Sequence, residues 1–154
     1  MVRLFSAKFR YGREQRAWSQ ADIAHLLDLS RGSVNNLEAG RKQPSLATVV
    51  RTAKLFGIPL DDLLRDSVTP EQMRINTAIT TMIALESFGF SLYSLRTAAG
   101  HTQHALAHHL GLSTQAYISL LEHGQKYPSP DVALLIADYF QIMVDTLFLN
   151  PVLL

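Results

Sequence analysis

QADIAHLLDL, residues 20–29, returns as QHALAHHLGL at residues 103–112, a displacement of 83. After one inserted residue the match resumes at a displacement of 84, where LEAGRKQPS (37–45) faces LEHGQKYPS (121–129). Further on, Ala53, Phe56, Ile58, Asp61 and Leu63 recur as Ala137, Phe140, Ile142, Asp145 and Leu147. Identities kept in this order, with a gap only at a turn, do not arise from shared composition. The period is too long for a solenoid unit, so each copy is a whole small domain.

The 154 residues leave room for two domains of about 65 residues and a connector. The expected division is a first domain at 1–66, a connector helix at 67–87 and a second domain at 88–154. A hydrophobic content of 47% with 18% charge describes a soluble globular chain rather than a disordered one. The absence of cysteine excludes disulfides and cysteine-based zinc sites. MVRLFSAKFRYGR at the N-terminus has no apolar run of signal-peptide length, and no stretch is long enough to span a bilayer. The expected location is the cytoplasm.

The net charge of +1 hides an asymmetry. Residues 1–66 carry eleven Lys/Arg against seven Asp/Glu, or +4; residues 67–87 carry −1. Residues 88–154 carry two against four, or −2, with five of the six histidines. A basic half attracts phosphates; the other half does not unless its histidines protonate.

Capping residues, proline and glycine divide each copy into five helices, with no period-2 strand pattern. In the first copy the helices are expected near 5–17, 20–27, 31–38, 46–56 and 59–65, with Ser19, Ser30 and Ser45 as N-caps and Gly40 and Gly57 as stops. In the second they are expected near 91–99, 103–110, 115–122, 130–140 and 144–149, with Thr102, Thr114 and Ser129 as N-caps. The connector helix would start at Pro70 behind Thr69 and run to about Glu86. Such a helix would align Ile75, Ala78, Ile79, Met82 and Ile83 on one face. That stripe reads either as packing between the domains or as a dimer interface, because helical spacing shows burial and not what covers it.

Five short helices with a tight turn between the second and third resemble the Cro/repressor type of helix-turn-helix domain, the XRE-like family. The resemblance is carried by WSQADIAHLLDLSRGSVNNLEAGRKQPS (18–45) and by HTQHALAHHLGLSTQAYISLLEHGQKYPS (101–129). It covers each copy nearly end to end and implies an all-α fold of two tandem domains joined by the connector helix. Glutamine opening the second helix, alanine four residues on, and an E-x-G-x-K-x-P-S ending occur together, and twice.

A helix N-terminus presents free backbone N–H groups, so Ser19 and Gln20 are expected to seat a phosphate. Ala24, repeated as Ala107, is small where helix three crosses helix two. In the third helix Val34 and Leu37 should be buried. A helix of this kind in a major groove reads bases with its N-terminal residues, arginine pairing with guanine and asparagine with adenine. The resemblance implies base reading by Arg31, Gly32 and Asn36. It implies phosphate contacts from Ser33 and Asn35, and from Arg41 and Lys42 in the following loop. It also implies that Arg13 and Arg96 pair with Glu38 and Glu122, tying helix one to the end of helix three.

The second copy departs where reading would occur. A residue inserted near Ser113 and Thr114 lengthens the turn, Leu120 stands in place of Asn36, Tyr117 of Ser33 and Gln125 of Arg41. Gln103, Gln115 and Lys126 are left as weaker candidate DNA contacts. A leucine at a reading position suits a protein contact better, so this copy reads as a structural or self-association domain. His101, His104 and His108 raise a metal, but no acidic residue completes an H-E-x-x-H motif and no cysteine is present. They read as a solvated or phosphate-facing surface.

The leading expectation is a sequence-specific DNA-binding transcription regulator, a repressor acting as a homodimer. The alternative is an antitoxin-like or other protein-binding module whose second domain holds a partner. An enzyme is disfavoured, because the chain has no nucleophile–base constellation, phosphate-cradling glycine loop or clustered carboxylate pair. No cofactor is expected.

Overall fold

A computed structural model describes residues 2–150. The described residues are helical apart from loops and one antiparallel bridge between Ile83 and Leu149. They form two compact units, divided between Thr81 and Met82.

The first unit holds α1 (Phe5–Glu14), α2 (Gln20–Leu26), α3 (Arg31–Glu38), α4 (Leu46–Phe56) and α5 (Leu60–Leu64). Ser19, Ser30 and Ser45 are extended N-caps, and each hydroxyl accepts the backbone N–H three residues on. Gly57 ends α4 in the left-handed region. Phe5, Phe9, Ile23, Val34, Leu37, Val49, Ala53 and Phe56 make the core. Burial of apolar surface at this scale, roughly 25 cal/mol per Å2, is what holds helices too short to persist alone. Gly12 is fixed by packing, since a Cβ there would run into the Phe56 ring.

Lys8 is fully buried in this unit. Its Nζ donates to the carbonyls of Asp62 (2.6 Å), Leu63 (3.4 Å) and Arg65 (2.7 Å), which closes the C-terminal end of α5. Asp66 does the reverse for α1, where its carboxylate accepts the N–H groups of Arg3 and Leu4.

The expected connector helix from 70 to 86 is not formed. A 3-10 turn at Pro70–Gln72 is followed by extended residues and then by α6 (Thr77–Met82), six residues long. The extended part is strapped to the first unit. Asp62 accepts Arg74 through the backbone N–H (2.8 Å) and Nη2 (3.0 Å), and Asn76 N–H donates to Gly57 O at 2.7 Å. The apolar stripe is therefore broken. Ile75 is 73% exposed, Ile79 and Met82 are half-buried, and Ile83 is buried where it bridges Leu149. Four β-branched residues within five positions, Thr77, Ile79, Thr80 and Thr81, would weaken a long helix here. The chain's hydrogen bonds to Asp62 and Gly57 replace it.

The second unit repeats the plan with α7 (Ser87–Ala98), α8 (Gln103–His109), α9 (Gln115–Glu122), α10 (Pro130–Phe140) and a 3-10 turn at Val144–Phe148. Thr102, Thr114 and Ser129 cap the helices as their counterparts do. Its core is Phe88, Leu92, Leu106, Ile118, Leu121, Ile136, Leu147 and Phe148. α7 begins four residues earlier than the capping pattern suggested.

Candidate nucleic-acid interface

The geometry of α3 follows from which of its side chains the core takes. Val34, Leu37 and Glu38 are buried, so Arg31, Gly32 and Asn35 stand exposed, with Ser33 and Asn36 half-buried. Ser30 holds the first turn by accepting Ser33 N–H (3.0 Å), and its hydroxyl donates to Ser33 Oγ (2.9 Å). Arg31 and Gly32 thus stand exposed at the start of a short, firmly capped helix, and Asn36 lies half-buried in its last turn.

A buried clasp fixes that helix against its neighbours. Arg13 Nε donates to Glu38 Oε1 at 2.5 Å and its Nη2 to Oε2 at 3.3 Å, with the Glu38 side chain only 2% exposed. Arg13 Nη1 closes the turn after α1 by donating to Trp18 O at 2.7 Å. Gln20 Nε2 donates to Glu38 Oε2 at 2.9 Å, bringing α2 into the same clasp. Burial pushes the Glu38 carboxyl up, but the bonds from Arg13 and Gln20 outweigh it and hold the group below the usual carboxylate range. The same bond with Glu38 raises Arg13. Both groups are charged at neutral pH.

The start of α2 is less open than its sequence suggests. Ser19 and Asp22 form a capping box: Ser19 Oγ accepts Asp22 N–H (3.1 Å), and Ser19 N–H donates to Asp22 Oδ2 (2.7 Å). These bonds with Ser19 lower the Asp22 carboxyl. An arriving phosphate would therefore meet a carboxylate already seated among the N–H groups. Gln20 keeps one amide N–H beyond the bond it gives to Glu38.

Arg41 and Lys42 follow α3 in a loop turned by their backbone N–H groups onto Asn36 O, at 2.9 and 3.3 Å. Both side chains are exposed. Arg41 Nη1 reaches back to Asn35 Oδ1 (3.1 Å) and Asn36 Oδ1 (3.4 Å). Arg31, Arg41 and Lys42 gather three cations around one helix on a unit that is already basic.

The second unit repeats the clasp and not the cations. Arg96 Nε and Nη2 bond Glu122 at 2.5 and 3.1 Å, Gln103 Nε2 bonds Glu122 Oε2 at 2.8 Å, and Arg96 Nη1 bonds His101 O at 2.7 Å. Gln103 and Gln20 thus hold the same structural post, which the repeat of Gln and Glu at matched positions could have revealed. On α9 the outward residues are Gln115, Ala116, Ser119 and Leu120. Lys126 Nζ sits 5.1 Å from the Tyr117 ring centroid, in cation–π contact. His101, His109 and Tyr139 stack together, with Tyr139 Oη 2.8 Å from His101 Nε2. Among the described residues no group of histidine, aspartate and glutamate is arranged to hold a metal.

The helix-turn-helix family model matches the chain twice, over residues 9–63 and 92–147, which takes in most of both copies. The chain belongs to the helix-turn-helix family, of the Cro/repressor type. The members of this family are DNA-binding transcriptional regulators. Among curated relatives, the chain is 29% identical over 83 residues to the cryptic phage CTXphi transcriptional repressor RstR of Vibrio cholerae, covering 54% of this chain and 75% of the relative. It is 34% identical over 56 residues to an uncharacterised HTH-type transcriptional regulator of Methanocaldococcus jannaschii, covering 36% of this chain and 85% of the relative. No solved structure matches. No helix among the described residues is long and apolar enough to cross a membrane.

Proposed function

We propose that this helix-turn-helix protein is a sequence-specific transcription repressor that acts as a homodimer, with α3 of the first unit in the major groove of DNA. One observation carries the reading. The first unit holds exposed Arg31 and Gly32 and half-buried Asn36 on a helix fixed by a buried clasp, with Arg41 and Lys42 beside it. The second unit keeps the clasp and presents an uncharged helix. The name of the Vibrio cholerae relative, a transcriptional repressor, supports the sign of regulation.

In this reading Arg31 and Asn36 bond base edges, and Gly32 lets the backbone approach. Ser33, Asn35, Arg41, Lys42 and the free amide N–H of Gln20 meet phosphates, with Ser19 adding its hydroxyl at the edge of the contact. Gln103, Gln115 and Lys126 give the second unit no more than weak contacts. Paired first units would meet half-sites about one helical turn apart, near 34 Å. Selection of bound duplexes from a random pool tests this. Enrichment of one palindromic motif is expected, and a pool that stays random after repeated rounds would refute it.

A second reading, in which the second unit holds a protein partner as an antitoxin does, draws on the exposed apolar side chains of that unit. A different protein that co-purifies in fixed ratio through residues 82–150 would favour it.

A further inference from the structure

Arg51 stands in the middle of α4, the helix that follows the Arg41–Lys42 loop, and its Nη1 donates to Leu27 O at 2.8 Å. Leu27 is the C-cap of α2, where helix geometry leaves carbonyls without a partner of their own. The next residue, Asp28, is held at φ 53°, a left-handed position that a non-glycine residue adopts only at a cost. Ser30 then caps α3. Arg51 therefore links the element after α3 to the turn before it. The clasp grips α3 at its last residue, Glu38; Arg51 acts at the other end, through the turn.

The second unit keeps the clasp and lacks this link. Leu135 stands on α10 where Arg51 stands on α4, and it has no donor to offer Leu110, the C-cap of α8. There the left-handed residue is Gly111, at φ 63°, and the turn is one residue longer. The entry to the following helix also differs, with φ −73° at Ser30 and −155° at Thr114.

We infer that Arg51 is a positioning residue for base recognition, setting from α4 the turn that aims α3. The inference rests on the proposed function and deepens it. Arg31 lies four residues past Leu27, so the turn decides where its guanidinium arrives. A bidentate contact to a base edge depends on that direction, whereas a phosphate contact depends chiefly on charge. The tie occurs in the unit whose helix carries the cations, and not in its copy.

The test uses the full chain with Arg51→Leu, which places here the side chain of the second unit, and Arg51→Lys, which keeps charge and a donor. The probes are the duplex enriched from a random pool and the same duplex with one base pair of the half-site changed, titrated at several salt concentrations. Arg51→Leu should lower the ratio of the two affinities roughly 10-fold, the worth of one good base contact, with the wild-type salt slope. Arg51→Lys should retain most of the ratio. A purely structural role would lower the melting temperature and the active fraction yet leave the ratio untouched, because the fraction folded cancels from it. An Arg51→Leu protein with the wild-type ratio would therefore overturn the inference. With a salt slope reduced by about one, it would make Arg51 a phosphate contact instead. Arg51→Lys discriminating no better than Arg51→Leu would also overturn it, since the bond to Leu27 O could not then be the cause. A wild type that does not discriminate sinks the proposed function and the inference together; a discriminating wild type matched by Arg51→Leu sinks the inference alone.

Discussion

Arg41 and Asn35 are joined across the end of α3, Arg41 Nη1 to Asn35 Oδ1 at 3.1 Å. With the weaker contact to Asn36 Oδ1, the guanidinium draws the carbonyl oxygens of both amides toward the loop. Arg41 therefore orients the helix surface as well as adding charge. Arg41→Ala is expected to lower affinity and to relax base preference at the position met by Asn36. Lys42→Ala, which has no such bond, should weaken all sequences alike and flatten the salt dependence. Fluorescence anisotropy with matched and mismatched duplexes at several salt concentrations distinguishes them. Identical behaviour of the two variants would refute the orienting role.

For the proposed readers on α3, Arg31→Ala and Asn36→Ala should each cost roughly 1–3 kcal/mol on a matched site and less on a mismatched one. The ratio of the two affinities is the measurement. A wild-type ratio for Arg31→Ala would remove α3 from the major groove.

The clasp makes a paired prediction. Arg13→Ala strands Glu38 in the core and should destabilise the first unit by about 3–5 kcal/mol, and Arg96→Ala should do the same to the second. Glu38 titrates below its usual range in the folded chain, so the unfolded chain takes up protons first as pH falls. Its contribution is therefore whole at neutral pH and is lost on acidification through the folded value. Urea unfolding followed at neutral and acid pH should show that slope in the wild type and lose part of it in Arg13→Ala.

Lys8 gives a slope of the same sign in a different, alkaline window. Burial pushes its ammonium down to about 8, against the charges of Asp66 and Asp62, which act to raise it. Between that value and the ordinary lysine range the unfolded chain holds the proton and the folded chain has released it. Stability should accordingly rise with pH through this window, by roughly 1–3 kcal/mol, with the cost of the desolvated charge borne below it. Lys8→Met should flatten the rise. Denaturant melts from pH 7.5 upward, on the order of three pH units, decide the matter.

Left-handed positions offer a test internal to the repeat. Ala17 has φ 53°, while Gly100, its counterpart, has φ 71° and open space where a Cβ would lie. Ala17→Gly should stabilise by about 1 kcal/mol and Gly100→Ala should destabilise by a similar amount. Thermal unfolding of the two variants reads both, and an unstable Ala17→Gly would mean that the methyl group packs.

The all-helical fold and its doubling were legible because caps and stops act locally. Ser19, Ser30, Ser45, Thr102, Thr114 and Ser129 each occupy the N-cap expected of them. The Arg13–Glu38 and Arg96–Glu122 pairs followed from the family resemblance and are both present. The broken course of the connector is not legible in the sequence, because a stripe at helical spacing carries no record of distant partners. Arg74 is held by Asp62 and Asn76 by Gly57, bonds that span the unit and break the helix. The place of Gln20 at a helix start points to phosphate, yet its amide spends one N–H on Glu38. The buried ammonium of Lys8 had no sequence signal, since a lone lysine in an amphipathic helix is ordinarily a solvated one.

The repeated clasp has a consequence for how the chain refolds. Arg13, Gln20 and Glu38 close one unit with the same three side chains that Arg96, Gln103 and Glu122 use in the other. The lock does not distinguish its own copy from its neighbour, so only the apolar packing behind it does. Were Arg13 to close on Glu122 during collapse, the cross-docked chain would have to reopen before becoming native, as mispairing between repeats is a common kinetic trap. Refolding of the whole chain should show a slow phase, independent of protein concentration, that either unit refolding by itself lacks.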